Sequence, residues 1–182
     1  PGYDRLMRWC GLTRPRLFDG IFPSVNGWEV ADLGGGTGFY ARILAERGAR
    51  VTVVDTASAM LARIPPGTGI TAIRADLAAT GLAAAAFDLV LLIDVLHHLA
   101  CRPAALAEAV RLLRPGGVLV IADVPRHGGL RGFGRRVWEY PFCRIDAFVD
   151  PETLERELQT RGVVRRTLEV RPTNFVYRGV KL

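Results

Sequence analysis

The chain is 182 residues long, 49% hydrophobic and 23% charged, with a formal net charge of +6. That length buries one substantial core, and the composition reads as one soluble globular domain. No run of 18 apolar residues and no charged-then-apolar leader pattern occurs, so neither a membrane span nor export is expected and the default address is cytoplasmic.

The opening stretch "YDRLMRWCGLTRPRLFDGIF", within residues 1–27, is expected to form a helical cover. Short β-branched runs then alternate with helical stretches, the pattern of a parallel sheet with crossover helices. The strand candidates are "WEVADL" (28–33), "RVTVVD" (50–55), "GITAIRAD" (69–76), "FDLVLLID" (87–94) and "GVLVIADV" (117–124). Helical spacing of apolar residues places helices near residues 40–47, 57–63 and 103–113. The last of these should stop at "RPGG", where Pro115 cannot continue a helix and the glycines suit a C-terminal cap. Residues 125–150 change character, being rich in arginine, glycine and aromatics without a clear period. A helix restarts in "DPETLERELQTRG" (150–162), with Asp150 as N-cap, Pro151 in the first turn and Gly162 after the end. "VVRRTLEV" and "NFVYRGVKL" follow with only "RPT" between them, too short for a parallel crossover, so they must pair as an antiparallel hairpin. The predicted fold is α/β: five parallel β/α units plus a terminal hairpin. Residues 28–124 form the core, 125–150 a separate segment and 151–182 the closing helix and hairpin.

Within this outline "VADLGGGTGFY" (30–40) packs four glycines between a strand and a helix, where the backbone can approach a ligand closely. Nicotinamide and adenosyl cofactors both use such turns, so spacing decides. A dinucleotide fingerprint needs glycines at its first, third and sixth positions. Gly34 and Gly36 satisfy two, but the sixth position is Phe39 and the next glycine is Gly38. The register is instead D-x-G-x-G-x-G from Asp32. About twenty residues beyond the loop, where a ribose-binding acid is expected, Asp55 ends the second strand candidate. A carboxylate there can accept from both ribose hydroxyls of an adenosyl group. A nicotinamide cofactor would use the same acid.

This register, together with "VVDTASAML", "RAD", "FDLVLLIDVLHHL" and "LLRPGGVLVIAD" in order, resembles the class I S-adenosylmethionine-dependent methyltransferases. The similarity extends most to the small-molecule branch that includes the ubiquinone and menaquinone methyltransferases. The resemblance implies a doubly wound, Rossmann-like, mostly parallel seven-stranded sheet with helices on both faces and a C-terminal antiparallel hairpin. It implies S-adenosylmethionine as cofactor. Asp32 and the loop of Gly34, Gly35, Gly36 and Gly38 would hold the methionine end, with Asp94 nearby. Asp55 would meet the ribose, Asp76 the adenine amino group and Leu77 the ring edge, with Thr56 and Met60 lining that pocket. The structural alternatives are a helix cap for Asp76, a core filler for Met60 and a strand-end turn residue for Asp94.

On the substrate side, methyl transfer from a sulfonium is an in-line displacement that depends mostly on placing the nucleophile and excluding water. "DVLHHL" puts His98 and His97 near the C-terminal edge of the sheet, where ligands of such sheets bind. Either could deprotonate a phenol or enol at neutral pH; otherwise one packs between sheet and helix. The Asn/Asp-Pro-Pro-Tyr motif of adenine N-methylating relatives is missing from "IDVL", which argues against DNA adenine methylation. "PRHGGLRGFGRRVWEYPFCR" (125–144) is read as a substrate lid whose arginines and aromatics could clamp an acidic or aromatic small molecule. They could also follow RNA, lie on a membrane or form a solvated basic loop. Of the 24 basic residues all but Lys181 are arginine, and net charge by itself selects none of these partners. Cys10, Cys101 and Cys143 are odd in number, lack metal-ligand spacing and read as free thiols. The reading favours a small-molecule methyltransferase over an RNA methyltransferase, a nicotinamide-dependent oxidoreductase or a non-catalytic protein that keeps the fold. No specific nucleic-acid partner is expected.

Overall fold

The structure is a computed structural model that describes residues 17–19, 22, 24–126 and 148–182. Seven strands form one sheet: β1 (Glu29–Leu33), β2 (Arg50–Asp55), β3 (Ile70–Arg74), β4 (Phe87–Ile93), β5 (Leu113–Asp123), β6 (Val163–Arg171) and β7 (Asn174–Lys181). Their order is β3-β2-β1-β4-β5-β7-β6. β1 to β5 pair in parallel, whereas β7 runs antiparallel to both β5 and β6. The hairpin closes at the Arg171–Asn174 pair, as the short connection requires.

Four helices accompany the sheet among the described residues: α1 (Phe39–Ala45), α2 (Ser58–Leu61), α3 (Arg102–Leu112) and α4 (Pro151–Gln159). β4 explains why both faces must be covered. Its sequence FDLVLLI is almost entirely apolar, so successive side chains leave in opposite directions into two cores. Leu89, Leu91 and Ile93 join α1, Leu61 and Phe18 on one face; Val90 and Leu92 join α3 and α4 on the other. A polar residue at any of these alternating positions would leave buried groups unpaired, at a cost of roughly 1–3 kcal/mol each.

Three details differ from the sequence reading. Only one turn of the helix expected over 57–63 forms. The connection from β3 to β4 contains no helix at all; it is held down by Glu108 of α3, which accepts from Thr80 N–H at 3.0 Å and Thr80 Oγ1 at 2.6 Å. The "RPGG" glycines do not cap α3. The helix stops at Leu112, and β5 begins at once with Leu113, the strand register slipping between its pairs with Phe87 and Leu89. The cap comes from the far end of the chain, where Lys181 Nζ donates to the carbonyls of Val110 at 2.9 Å and Leu113 at 2.7 Å. α4, by contrast, starts as its sequence says, with the Asp150 carboxylate accepting from Thr153 N–H at 3.0 Å.

The proposed cover and lid fall mainly on residues 1–16 and 127–147, outside the described residues, as do Cys10 and Cys143. At residues 17–19 the chain forms a turn, and Phe18 packs edge-on against Tyr40 of α1. Among the described residues on either side of 127–147, Pro125 bridges Val149 and Arg126 N–H donates to the Val149 carbonyl. No helix among the described residues is long and apolar enough to cross a membrane.

Candidate active site

A cavity of about 610 Å³ opens at the C-terminal ends of β1, β2 and β4. The chain leaves β1 toward one face and β4 toward the other, so the connections diverge there and leave a crevice. Asp32, Gly34, Gly35, Gly36, Asp55, Thr56, Met60, Asp76, Leu77, Asp94, His97 and His98 all line it. Gly38 does not. It is the N-cap of α1, with φ +71, and its Cα packs toward Ile64.

The four glycines serve different purposes. A Cβ at Gly34 would collide with Val95, and one at Gly35 would stand 2.5 Å from Asp32 Oδ2. Those two glycines let the loop pack on the protein itself. Gly36 differs: with φ +54, an added Cβ would meet only Met60 Cε at 3.5 Å and Asp55 Oδ2 at 3.9 Å, on the cavity side. Of the loop glycines, Gly36 is therefore the one whose bare Cα lets a ligand in the cavity approach the backbone closely.

Asp55 closes β2 with its carboxylate set between two turns. Oδ2 accepts from Gly36 N–H at 3.0 Å and Oδ1 from Ala57 N–H at 2.8 Å. Each oxygen keeps a second lone pair for a ligand hydroxyl. Asp32 lies on the same side of the sheet, 1% exposed, and its Oδ2 has no hydrogen-bond partner among the described residues. Burial first, then the charge of Asp55, pushes its carboxyl from 3.8 up to about 7, against a backbone hydrogen bond from Ala41. A cationic group entering the cavity would relieve both effects.

Asp76 caps no helix. Its Oδ1 accepts from Ala78 N–H at 2.8 Å in a tight turn, which leaves Leu77 buried beside it at the cavity wall. Asp94 takes φ +50, unusual for a residue with a Cβ, and its N–H donates to the Ala122 carbonyl at 2.7 Å.

At the other end the two histidines separate. His98 is exposed, whereas His97 is 2% exposed. His97 Nδ1 lies 2.5 Å from Oδ1 of Asp123, the last residue of β5, and its ring stacks on Phe148 with centroids 5.9 Å apart. The sequence reading missed Asp123, because nothing in "VIADV" ties that acid to a histidine 26 residues earlier. It also missed Phe39, Tyr40, Val95, Leu99 and Cys101 along the cavity. Val95 and Leu99 were within sight, since they flank the histidines in the quoted motif. Cys101 is a free, exposed thiol.

A parallel sheet ordered in this way and finished by an antiparallel hairpin, with an acid after the glycine loop, defines the class I S-adenosylmethionine-dependent methyltransferase architecture. Residues 31–121 match the family described as a methyltransferase domain, half of the chain, and the protein belongs to that family. Among curated relatives, the malonyl-[acyl-carrier protein] O-methyltransferase of Serratia marcescens is 36% identical over 117 residues, covering 63% of this chain and 45% of that protein. The ubiquinone biosynthesis O-methyltransferase of Maricaulis maris is 30% identical over 130 residues, covering 68% and 48%. The chain spans about half the length of these relatives. An S-adenosylmethionine-dependent methyltransferase structure from Mesorhizobium loti shares the fold, with TM-score 0.74 and 22% identity over 92% of this chain and 98% of that one.

Proposed function

We propose that this protein transfers a methyl group from S-adenosylmethionine to an oxygen of a small acidic or phenolic molecule. The observation that carries this reading is the single continuous cavity joining the Asp55 and Gly36 end to the His97 and His98 end. The relatives named above, both O-methyltransferases, support it.

The residues suit the cofactor. The remaining lone pairs of Asp55 receive the ribose hydroxyls, and the bare Cα of Gly36 leaves room for the ligand at that point. Asp76, Leu77, Thr56 and Met60 border the adenine, while Asp32, Asp94 and the glycine loop border the charged methionine end. When bound, S-adenosylmethionine supplies an electrophilic methyl on a sulfonium. His97 takes the acceptor's proton, and His98 contacts the acceptor from the cavity mouth. The apolar walls made by Phe39, Val95 and Leu99 limit the water that reaches this end, so much of the acceleration comes from placement. Arginines 135 and 136, in the segment that follows β5, contribute to recognition of the acidic acceptor.

Calorimetry decides the cofactor. S-adenosylhomocysteine should bind and NAD should not, and Asp55→Ala should weaken the former by about 1.5–3 kcal/mol, the worth of hydrogen bonds to a charged group. Preference for NAD, or an indifferent Asp55→Ala, would refute the reading. Mass spectrometry of reactions with catechol and malonate as probe acceptors then identifies the methylated atom. Tight, sequence-dependent RNA binding at near-physiological salt would instead favour an RNA substrate.

A further inference from the structure

We propose that Asp123 is a positioning residue, which holds His97 with its ring hydrogen on Nδ1 and so leaves the ring's lone pair on Nε2. The part of this that concerns catalysis rests on the methyl-transfer reading above; the tautomer itself does not.

The geometry begins with the carboxylate. Asp123 is 0% exposed and sits where β5 ends. Its Oδ2 accepts from Leu96 N–H at 2.8 Å, while Oδ1 accepts from Val124 N–H at 2.6 Å and faces His97 Nδ1 at 2.5 Å. A carboxylate surrounded by donors offers only acceptors, so the hydrogen between it and the imidazole belongs to Nδ1. The ring cannot turn away easily. It is stacked at 20° on Phe148, and the His98 ring lies 4.0 Å from it.

A structural tie alone would not need the histidine. The Leu96 N–H bond already fastens β5 to the 3-10 turn Leu96–His98, and burying a carboxylate beside an imidazole carries a desolvation cost. The arrangement gains a purpose because His97 forms part of the cavity wall. Nε2 is itself a buried atom, so an acceptor hydroxyl must seat against the ring from the cavity before its proton passes to Nε2, and the imidazolium that results is stabilised by the adjacent Asp123 charge. After product leaves, Nε2 returns that proton to water. Asp123 touches no substrate in this scheme and acts only through His97. His98 is exposed beside the ring and is not the histidine that faces Asp123, which makes the buried histidine the better base.

The test starts with the free protein. Long-range proton–nitrogen spectra of ¹⁵N-histidine-labelled protein near neutral pH, assigned with His97→Gln, distinguish the three ring states. Hydrogen on Nδ1 alone is the expected result; hydrogen on Nε2 alone, or a doubly protonated ring, overturns the proposal. Asp123→Asn should bring the other tautomer into the spectrum. With catechol as the probe acceptor, it should lower kcat by about 100-fold, in the range of general-base effects, with KM and S-adenosylhomocysteine affinity changed by less than about threefold. The double variant Asp123→Asn/His97→Gln should be no slower than His97→Gln alone, since the two residues act as one unit. Losses that multiply would show that Asp123 acts without His97 and overturn the proposal. Should Asp123→Asn not fold, the wild-type spectrum still decides the tautomer, and a His97→Gln protein with full turnover overturns the catalytic part. If S-adenosylhomocysteine binds but wild type does not methylate catechol, the acceptor reading has failed while the spectrum still judges the tautomer.

Discussion

Asp32 links the glycine loop to a measurable energy. Its carboxyl is buried, Oδ2 has no partner among the described residues, and its pKa is pushed from 3.8 to about 7 by burial and then by Asp55. A folded value above the unfolded one means that the folded protein keeps a proton the unfolded chain has released. The stability associated with this group is therefore complete below about pH 4, falls as pH rises and is lost once pH passes about 7. Three pK units at 1.36 kcal/mol each make about 4 kcal/mol in total, and about 3 kcal/mol of that falls between pH 5 and 8.5. Full burial leaves little solvent screening to discount. Asp32→Asn keeps the shape and removes the ionisation, so it should abolish this part of the pH dependence. The assay is urea unfolding of wild type and variant across that range, taking the difference between them so that other titrating groups cancel. Wild type should lose stability relative to the variant as pH rises. A difference that stays flat would show that the carboxyl is not desolvated as the geometry requires, and the account of Gly35 packing against it would fall with it.

Two further contrasts probe neighbouring features. Gly34→Ala and Gly36→Ala both place a Cβ at positive φ, a strain of about 1–2 kcal/mol each, but only the former meets Val95. Thermal unfolding should show Gly34→Ala as the less stable by at least 1 kcal/mol, the low end of overpacking costs, while calorimetry shows the better-folded Gly36→Ala losing at least about tenfold in S-adenosylhomocysteine affinity. Equal stabilities would refute the division of roles within the loop. Glu108 is held down to about 2, chiefly by its hydrogen bond with Arg111 and also by those from Thr80, against the effect of burial. A depressed folded value stabilises above about pH 4.5 and is lost as pH falls through about 2. With Arg111 41% exposed, solvent screening reduces the effect to about 1–2 kcal/mol. Urea unfolding at pH 7 and pH 3 should find Glu108→Gln less acid-sensitive than wild type, and equal sensitivity would count against the clamp.

Much of this architecture was legible in the chain because its signals are local. β-branched runs, the three-residue gap before the last strand and the Asp150-Pro151 start of α4 each act through their immediate neighbours. The glycine register and Asp55 were legible for a related reason, since the acid must end the strand next to the one that feeds the loop. Partnerships between distant residues were not legible. Lys181 caps α3 from the end of the chain, Val95 explains Gly34, and Asp123 finds His97 only because β4 and β5 lie side by side. The sequence alone determined the types of elements, their order and the likeness to a cofactor-binding loop, because hydrophobic periodicity and turn chemistry are short-range. Tertiary structure decided which glycine faces the cavity, which histidine is buried and which acid is desolvated, because side-chain environment and charge stabilisation depend on what packs across the sheet rather than along the chain.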